Sequence, residues 1–322
     1  MRKRVVRNLA ADARSSGVNR AFRFAARAGG ALREKAAWRE FAVRAEALGY
    51  SCLTVADHMN HEHSPLIALQ FVAGCTSSLR LGAEVLDNDF RNPLALAKEA
   101  ATLDVLSDGR LELGIGAGWQ QLDYEWSGIP FDDGATRVAR LAEGVQILTA
   151  LLAGETVTHQ SRFYRLRDAR CHPRPVQEPR PPLMIGGTGP RLLRVAARAA
   201  DIVSFATGTT AQPPSEWTLE ELARKAARVR DDAGARQPEL HLSPDMWVVT
   251  SDRRSFLEDR AAALGFATAE DFDRSAYVLV GTIEQIIEQL EETRATAGIS
   301  YVTVHQRAME DFAPVVARLN GR

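Results

Sequence analysis

The chain has 322 residues, 45% hydrophobic and 25% charged, a globular composition with enough length for a large core. Its 40 basic and 41 acidic residues leave a formal net charge of -1, so no global field draws it to nucleic acid or membrane. The partner expected is a small molecule, or a second protein. Cys52, Cys75 and Cys171 are odd in number and widely spaced; they fit neither a disulfide framework nor a zinc ribbon and point to a reducing cytoplasm.

Residues 1–20, MRKRVVRNLAADARSSGVNR, are basic and lack the apolar core of an export signal. They read as a mobile or loosely docked tail, with a partner-binding arm as the alternative. No apolar run is long enough to span a bilayer. A single domain is expected over 21–322.

FRFAARA (22–28) reads as a strand, and 34–48 as a helix with Trp38, Phe41, Ala45 and Leu48 at helical spacing, stopped by Gly49. The strand SCLTVA (51–56) and a helix over about 65–75 follow. LRLGAEVL (79–86) is an apolar strand interrupted by one glutamate. Asn92 and Pro93 supply the N-cap and first position of a helix running to about Leu106. RLELGIGAG (110–118) is the fourth strand. A polar loop of roughly fifteen residues comes next, long enough to be functional, and then a helix over 136–152.

Two alternating runs in 155–169 read as a hairpin, inserted with the proline-rich return over about 155–182. The alternation resumes with the strand PLMIGG (182–187), a helix from Pro190, the strand DIVSF (201–205), a helix from Glu216 and the strand DMWVVT (245–250). Helices over 251–264 and 282–298, the strand ISYVTVH (299–305) and a helix over 311–319 complete the chain. Eight short strands apolar on both faces, each followed by a helix, predict a (β/α)8 TIM barrel, with a doubly wound open sheet as the runner-up.

In a barrel, chemistry sits where strands end. Asp57 and His58 follow the second strand in TVADHMNHEHSP and so fall on the catalytic rim. His61 and His63 lie further out and read as solvent-facing. The spacing H-x-x-H-x-H matches no standard zinc pattern, so no metal is expected. GGTGP (186–190) ends the fifth strand and opens a helix carrying Arg191 on its first turn, a place where backbone amides can hold an anion. The glycines of GIGAG (114–118) need do no more than turn the chain. No Walker or G-x-G-x-x-G pattern occurs. After residue 35 the lysines are Lys98 and Lys225, both in predicted helices, which argues against Schiff-base chemistry.

LGYSCLTVADHM, RLGAEVLDNDFRNPLALAKEAATLDVLSDGRLELGIGAGW, GIPFDD and FYRLRDARCHPRPVQEPRPPLMIGGTGPRLLRVAARAAD resemble the bacterial-luciferase-like flavin and deazaflavin oxidoreductases. The resemblance is dense over 48–205, and VLDNDFRNP is most similar to the branch that uses coenzyme F420. It implies a barrel with the cofactor ring over its C-terminal mouth, F420 being the expected cofactor and FMN the alternative.

It further implies a non-proline cis peptide behind the ring, at Glu84–Val85 or a neighbouring bond. Asp87 would face the ring, and Asn88, Gly116 and Gly118 would also bind the cofactor. The phosphate-bearing tail would reach Gly186, Gly187, Thr188, Gly189 and Arg191. His58 matches the position beside the hydride-accepting carbon, with Asp57 orienting it. A sugar-phosphate dehydrogenase of this family carries a glutamate where this chain has Trp119, and a tryptophan near where it has Glu62; both departures argue against that substrate. Trp119 would wall the pocket, stack on substrate or anchor a lid, and Trp126 would do the same. The reaction implied is hydride transfer between a deazaflavin and a small organic substrate with a C=C, C=N or C=O bond. An FMN monooxygenase and a non-catalytic cofactor-binding protein are the rivals. The family's pairing habit implies a homodimer.

Overall fold

The computed structural model describes residues 20–60, 63–206, 216–244 and 246–322. The expected tail lies outside them apart from Arg20, and so does Glu62. Eight parallel strands form a closed ring: β1 (Arg23–Arg27), β2 (Cys52–Val55), β3 (Arg80–Ala83), β5 (Leu111–Gly116), β8 (Leu183–Gly186), β9 (Ile202–Ala206), β10 (Glu239–Ser243) and β13 (Tyr301–His305). Their registers include Phe24 against Val302, Leu53 against Leu81, and the closing pair Leu81 with Leu111.

Strands read as apolar on both faces are buried on both faces, β2 and β5 along their whole length. Helices cover the outside: α1 (Lys35–Ala47), α2 (Pro65–Ala73), α3 (Pro93–Leu106), α5 (Gly134–Leu152), α6 (Pro190–Ala199), α7 (Leu219–Ala233), α10 (Ile283–Ala297) and α11 (Met309–Leu319). The Asn92 side chain accepts the Leu94 N–H at 2.9 Å, as the Asn-Pro start of α3 predicts.

The third strand is broken. The Glu84–Val85 peptide is cis, and a short continuation, β4 (Leu86–Asp87), pairs with the end of β5. The expected hairpin is present as β6 (Val157–Gln160) and β7 (Arg165–Ala169).

Two expectations fail. The stretch read as a loop after the fourth strand contains a helix, α4 (Gln121–Ser127). The segment read as the next barrel strand, β11 (Met246–Val249), lies outside the ring and pairs in parallel with β12 (Val278–Gly281). With α8 (Arg253–Ala261) and α9 (Ala269–Asp273) it packs around its own apolar cluster of Leu257, Phe266, Phe272 and Val280. The barrel position belongs to β10, whose inward side chains are polar.

Charge fills the N-terminal end of the ring. Arg23 pairs with Glu112 at 2.5 Å and Glu239 at 2.8 Å, and Arg80 reaches Glu112 at 2.6 Å. Arg23 also stacks over the Tyr301 ring, 3.7 Å from its centroid. These groups close the base, so the open end is the one at which the strands finish.

Candidate active site

A cavity of about 590 Å3 opens at the C-terminal ends of the strands. Its floor is Val85, whose side chain lies against Gly116 and Gly186; a Cβ at Gly116 would stand 2.8 Å from Val85 Cγ2. The absence of a side chain on β5 is what lets Val85 settle there. Gly118 has φ +73, and a Cβ on it would fall 2.0 Å from the Tyr124 hydroxyl, so glycine is required on both counts.

His58 stands at the edge of this floor. Its Nδ1 lies 2.7 Å from Oδ2 of Asp123, on α4. The other Asp123 oxygen accepts the Met59 N–H at 2.9 Å and the Gln120 amide at 3.1 Å. A carboxylate can only accept, so the proton between them sits on Nδ1, which makes Nε2 the basic nitrogen of the neutral ring. Trp119 packs edge-on against the imidazole, with centroids 5.5 Å apart.

Asp57 does not orient His58, contrary to expectation. Its carboxylate is forked by Arg91, with Nη2 to Oδ1 at 3.1 Å, and accepts the Asp87 N–H at 3.0 Å. Asp57 therefore ties the end of β2 to β4. Asp87 lines the cavity beside it. Burial pushes the Asp87 carboxyl up to about 7, helped by the Asp89 and Asp57 carboxylates, against hydrogen bonds from the Asp89 N–H and the Tyr124 hydroxyl. Tyr124 is 3.1 Å from both Asp87 and Asp89, and Arg140 reaches Asp89 at 2.6 Å. Burial and these two acids keep the phenol protonated.

A second polar group crosses the barrel below the floor. Glu84 Oε2 accepts from the Thr303 hydroxyl at 2.7 Å, and that oxygen lies 2.8 Å from His241 Nε2. Nδ1 of His241 is 2.8 Å from Ser204 Oγ. The single Thr303 proton goes to the carboxylate, so His241 donates through Nε2 and accepts from Ser204 at Nδ1. Burial opposes charge on either group. Attraction to Arg27 and hydrogen bonds from the Thr303 and Ser243 hydroxyls outweigh it for Glu84, whose carboxyl lies below its ordinary range. Burial wins for His241, pushed down to about 4.

Gly186, Gly187 and Thr188 line the cavity, and α6 begins just beyond with Gly189 at its N-cap and no side-chain cap. Gly189 and Arg191 are exposed at this rim and do not line the cavity. Trp126 is exposed and away from it. Asn88 is buried and turned from it, donating to the Tyr164 hydroxyl at 2.9 Å. His63, expected in solvent, is half-buried; its Nε2 lies 2.6 Å from the Leu32 carbonyl and its ring meets Trp38 edge-on.

Residues 17–265 match the family described as luciferase-like monooxygenase. The chain belongs to this luciferase-like family. It is 36% identical over 191 residues to an F420-dependent glucose-6-phosphate dehydrogenase of Kineococcus radiotolerans, a span of 57% of this chain and 56% of that protein. A protein of the same name from Microbacterium testaceum is 32% identical over 60% of each chain. The chain thus spans under two thirds of the length of these curated relatives. The F420-dependent tetrahydromethanopterin reductase of Methanopyrus kandleri superposes with a TM-score of 0.74 at 18% identity, covering 94% of this chain and all of that one, a likeness of fold.

In this luciferase-like chain, sequence reasoning missed Asp123, Arg91, Tyr124 and Arg27. Asp123 and Tyr124 had a signal: in QQLDYEW they precede a glycine and follow a strand end, as a short rim helix does. Arg91 sits inside the very motif that carried the resemblance. Arg27 ends the first strand and lines the cavity, where a charged strand end marks the rim.

Proposed function

We propose that the protein is an F420-dependent oxidoreductase that transfers a hydride between the deazaflavin and a small organic substrate. The observation that carries this is His58, polarised by Asp123, at the edge of a cavity floored by Val85 over glycine-lined strands. The F420-dependent relatives support the same reading. The residues fit the group: the floor is apolar and unobstructed by a Cβ at Gly116 or Gly186. The amino end of α6 offers backbone amides to an anionic tail.

When bound, F420 would supply the ring that gives or accepts the hydride. Val85 would back the ring, and Gly186, Gly187 and Thr188 would hold the tail, with Gly189 and Arg191 at the outer rim. His58 Nε2 would give a proton to the reduced substrate or take one from the oxidised one, with Asp123 holding the tautomer. Asp87 would face the ring from the β4 side. Trp119 would exclude water above His58. The resemblance places an acid in the sugar-phosphate branch where this chain has Trp119, which argues against glucose 6-phosphate as the substrate. The exposed apolar residues Val43, Ile67 and Leu106, on α1, α2 and α3, support a homodimer built on this face. The three cysteines are free, as suits a cytoplasmic protein.

Titrating the pure protein with oxidised and reduced F420 and FMN tests the reading. Binding of F420, followed by oxidation of reduced F420 by an electron-poor alkene, imine or ketone, supports it. Selective binding of FMN, with oxygen consumption once the flavin is reduced, replaces it with a monooxygenase. Retention of F420 with no hydride exchange replaces it with a binding protein.

A further inference from the structure

Three carboxyl groups meet on the β4 side of the cavity, and two cations serve them. Asp57 is forked by Arg91, and Asp89 is paired with Arg140 at 2.6 Å. Asp87 stands between these two pairs, its N–H on Asp57 and its carboxyl against Asp89, with no cation of its own among the described residues. The other charges lining the cavity act elsewhere: His58 pairs with Asp123, and Arg27 acts on Glu84 and His305.

The donors around Asp87 fall on one oxygen. Oδ1 accepts the Asp89 N–H at 2.9 Å and the Tyr124 hydroxyl at 3.1 Å, the phenol being shared evenly with Asp89 Oδ2. Oδ2 takes no hydrogen bond among the described residues and, unlike Oε1 of Glu84, is not sealed from solvent. It stands against Gly118, where a Cβ would come within 2.3 Å, and both residues line the cavity. A neutral carboxyl carries its proton on the oxygen that no donor occupies, so the proton of Asp87 belongs on Oδ2, facing the cavity. Two neighbouring carboxylates, no cation and little water favour that form. Burial, first among these, pushes the carboxyl up to about 7.

We propose that Asp87 meets the ring bound in this cavity as a neutral acid, donating its Oδ2 proton to a lone pair on the ring's edge, a carbonyl oxygen or an unprotonated ring nitrogen. This rests on reading the cavity as the F420 site, and it assigns the form in which Asp87 faces that ring. A flat ligand seated on Val85 takes from Oδ2 its contact with water, which costs an ionised carboxyl far more than a neutral one. An ionised Oδ2 would also set its charge against the lone pair that a neutral acid bonds. Both effects bind the proton more tightly in the complex than in the free protein. Ligand affinity is therefore level in acid, where Asp87 is protonated free and bound. It weakens as the pH rises above about 7, by up to about tenfold per pH unit.

The test is the F420 affinity of the parent and of Asp87→Asn, read by fluorescence from about pH 5 to about pH 9. Asparagine keeps an acceptor for Asp89 and Tyr124, places an N–H where the Oδ2 proton stood, and cannot ionise. Titration of F420's own groups is common to both proteins and cancels in the ratio of their dissociation constants. That ratio is expected to lie within about threefold of unity in acid and to reach about tenfold or more at the alkaline end, the parent binding more weakly. The infrared band of a protonated carboxyl should be present in the parent at neutrality, move when F420 binds, and be missing from Asp87→Asn. A ratio that does not change with pH overturns the proposal, as does a carboxyl band that F420 leaves unmoved. A loss of about tenfold in Asp87→Asn in acid overturns it too, since the asparagine would then fail to replace the donor. If the parent binds no F420 at any pH, the reading of the cavity fails instead, and the same series with FMN decides whether a neutral Asp87 meets a flat ring.

Discussion

Asp123 Oδ2 lies 2.7 Å from Nδ1 of His58, and the same carboxylate accepts the Met59 amide at 2.9 Å. One side chain therefore fixes both the ring and the backbone that carries it. Replacing His58 by alanine should lower turnover by about 10^2 to 10^4, the usual worth of a positioned acid or base. Asp123→Asn can present an N–H to Nδ1 and so favour the wrong tautomer; turnover should fall on the order of 10^2 and the pH–rate profile should shift. Retention of F420 binding in both variants separates lost chemistry from lost folding. Full activity in Asp123→Asn would remove the aspartate from the mechanism.

Asp87 makes stability depend on pH in a predictable sense. Its carboxyl moves from an ordinary 3.8 to about 7 in the folded chain, chiefly by burial. Between those values the unfolded chain has released the proton and the folded chain holds it. Stability contributed here is greatest below pH 4, declines as the pH rises to 7, and is level above it. Asp87→Asn keeps the acceptor for Asp89 and Tyr124 and abolishes the titration. The variant should gain on the order of 3 kcal/mol over the parent above neutrality, the gain vanishing towards acid. His241 contributes the opposite slope in acid, but it is common to both proteins and cancels in the difference. Urea melts across this range give the answer; a constant difference would refute the assignment.

Gly116→Ala places a methyl 2.8 Å from Val85 Cγ2 and must lift Val85 into the cavity. The cost to stability is expected to be about 1–3 kcal/mol. The cost to F420 affinity should be larger in proportion, at least about tenfold by fluorescence titration. Unchanged affinity would show that Val85 does not back the ring.

Arg23→Met removes the cation between Glu112 and Glu239, leaving Glu112 to Arg80 and Glu239 without its ion-pair partner. Stripping one partner from a buried pair costs about 3–5 kcal/mol. The lower end applies because Arg80 remains, and the urea midpoint should drop accordingly. F420 affinity should not change, because the cluster lies at the far end of the barrel.

The barrel was legible wherever a strand was apolar on both faces, as in CLTV and LELGIG. It was illegible at β10, where ELHLS carries Glu239 for Arg23 and His241 for Ser204 and Thr303. Polar residues that satisfy one another inside the ring look like surface residues in a sequence, so the more apolar MWVV drew the assignment. The site was legible at the ends of β2, β3 and β8, since Asp57, His58, Glu84, Asp87 and Gly187 all line the cavity. The pairing within it was not. Neighbours in sequence, Asp57 and His58, take partners from different elements, Arg91 and Asp123, and only the closed ring brings those together.

The annex of β11, β12, α8 and α9 rests on its own apolar cluster. It touches the barrel through Trp247, whose indole donates to the Thr303 carbonyl at 2.9 Å, and through Trp217, which reaches both the cluster and the cavity. Such a cassette can drift, lengthen or be swapped while the ring of strands stays intact. Evolution, or an engineer, can then retune admission to the mouth from outside, leaving His58 and Asp123 untouched.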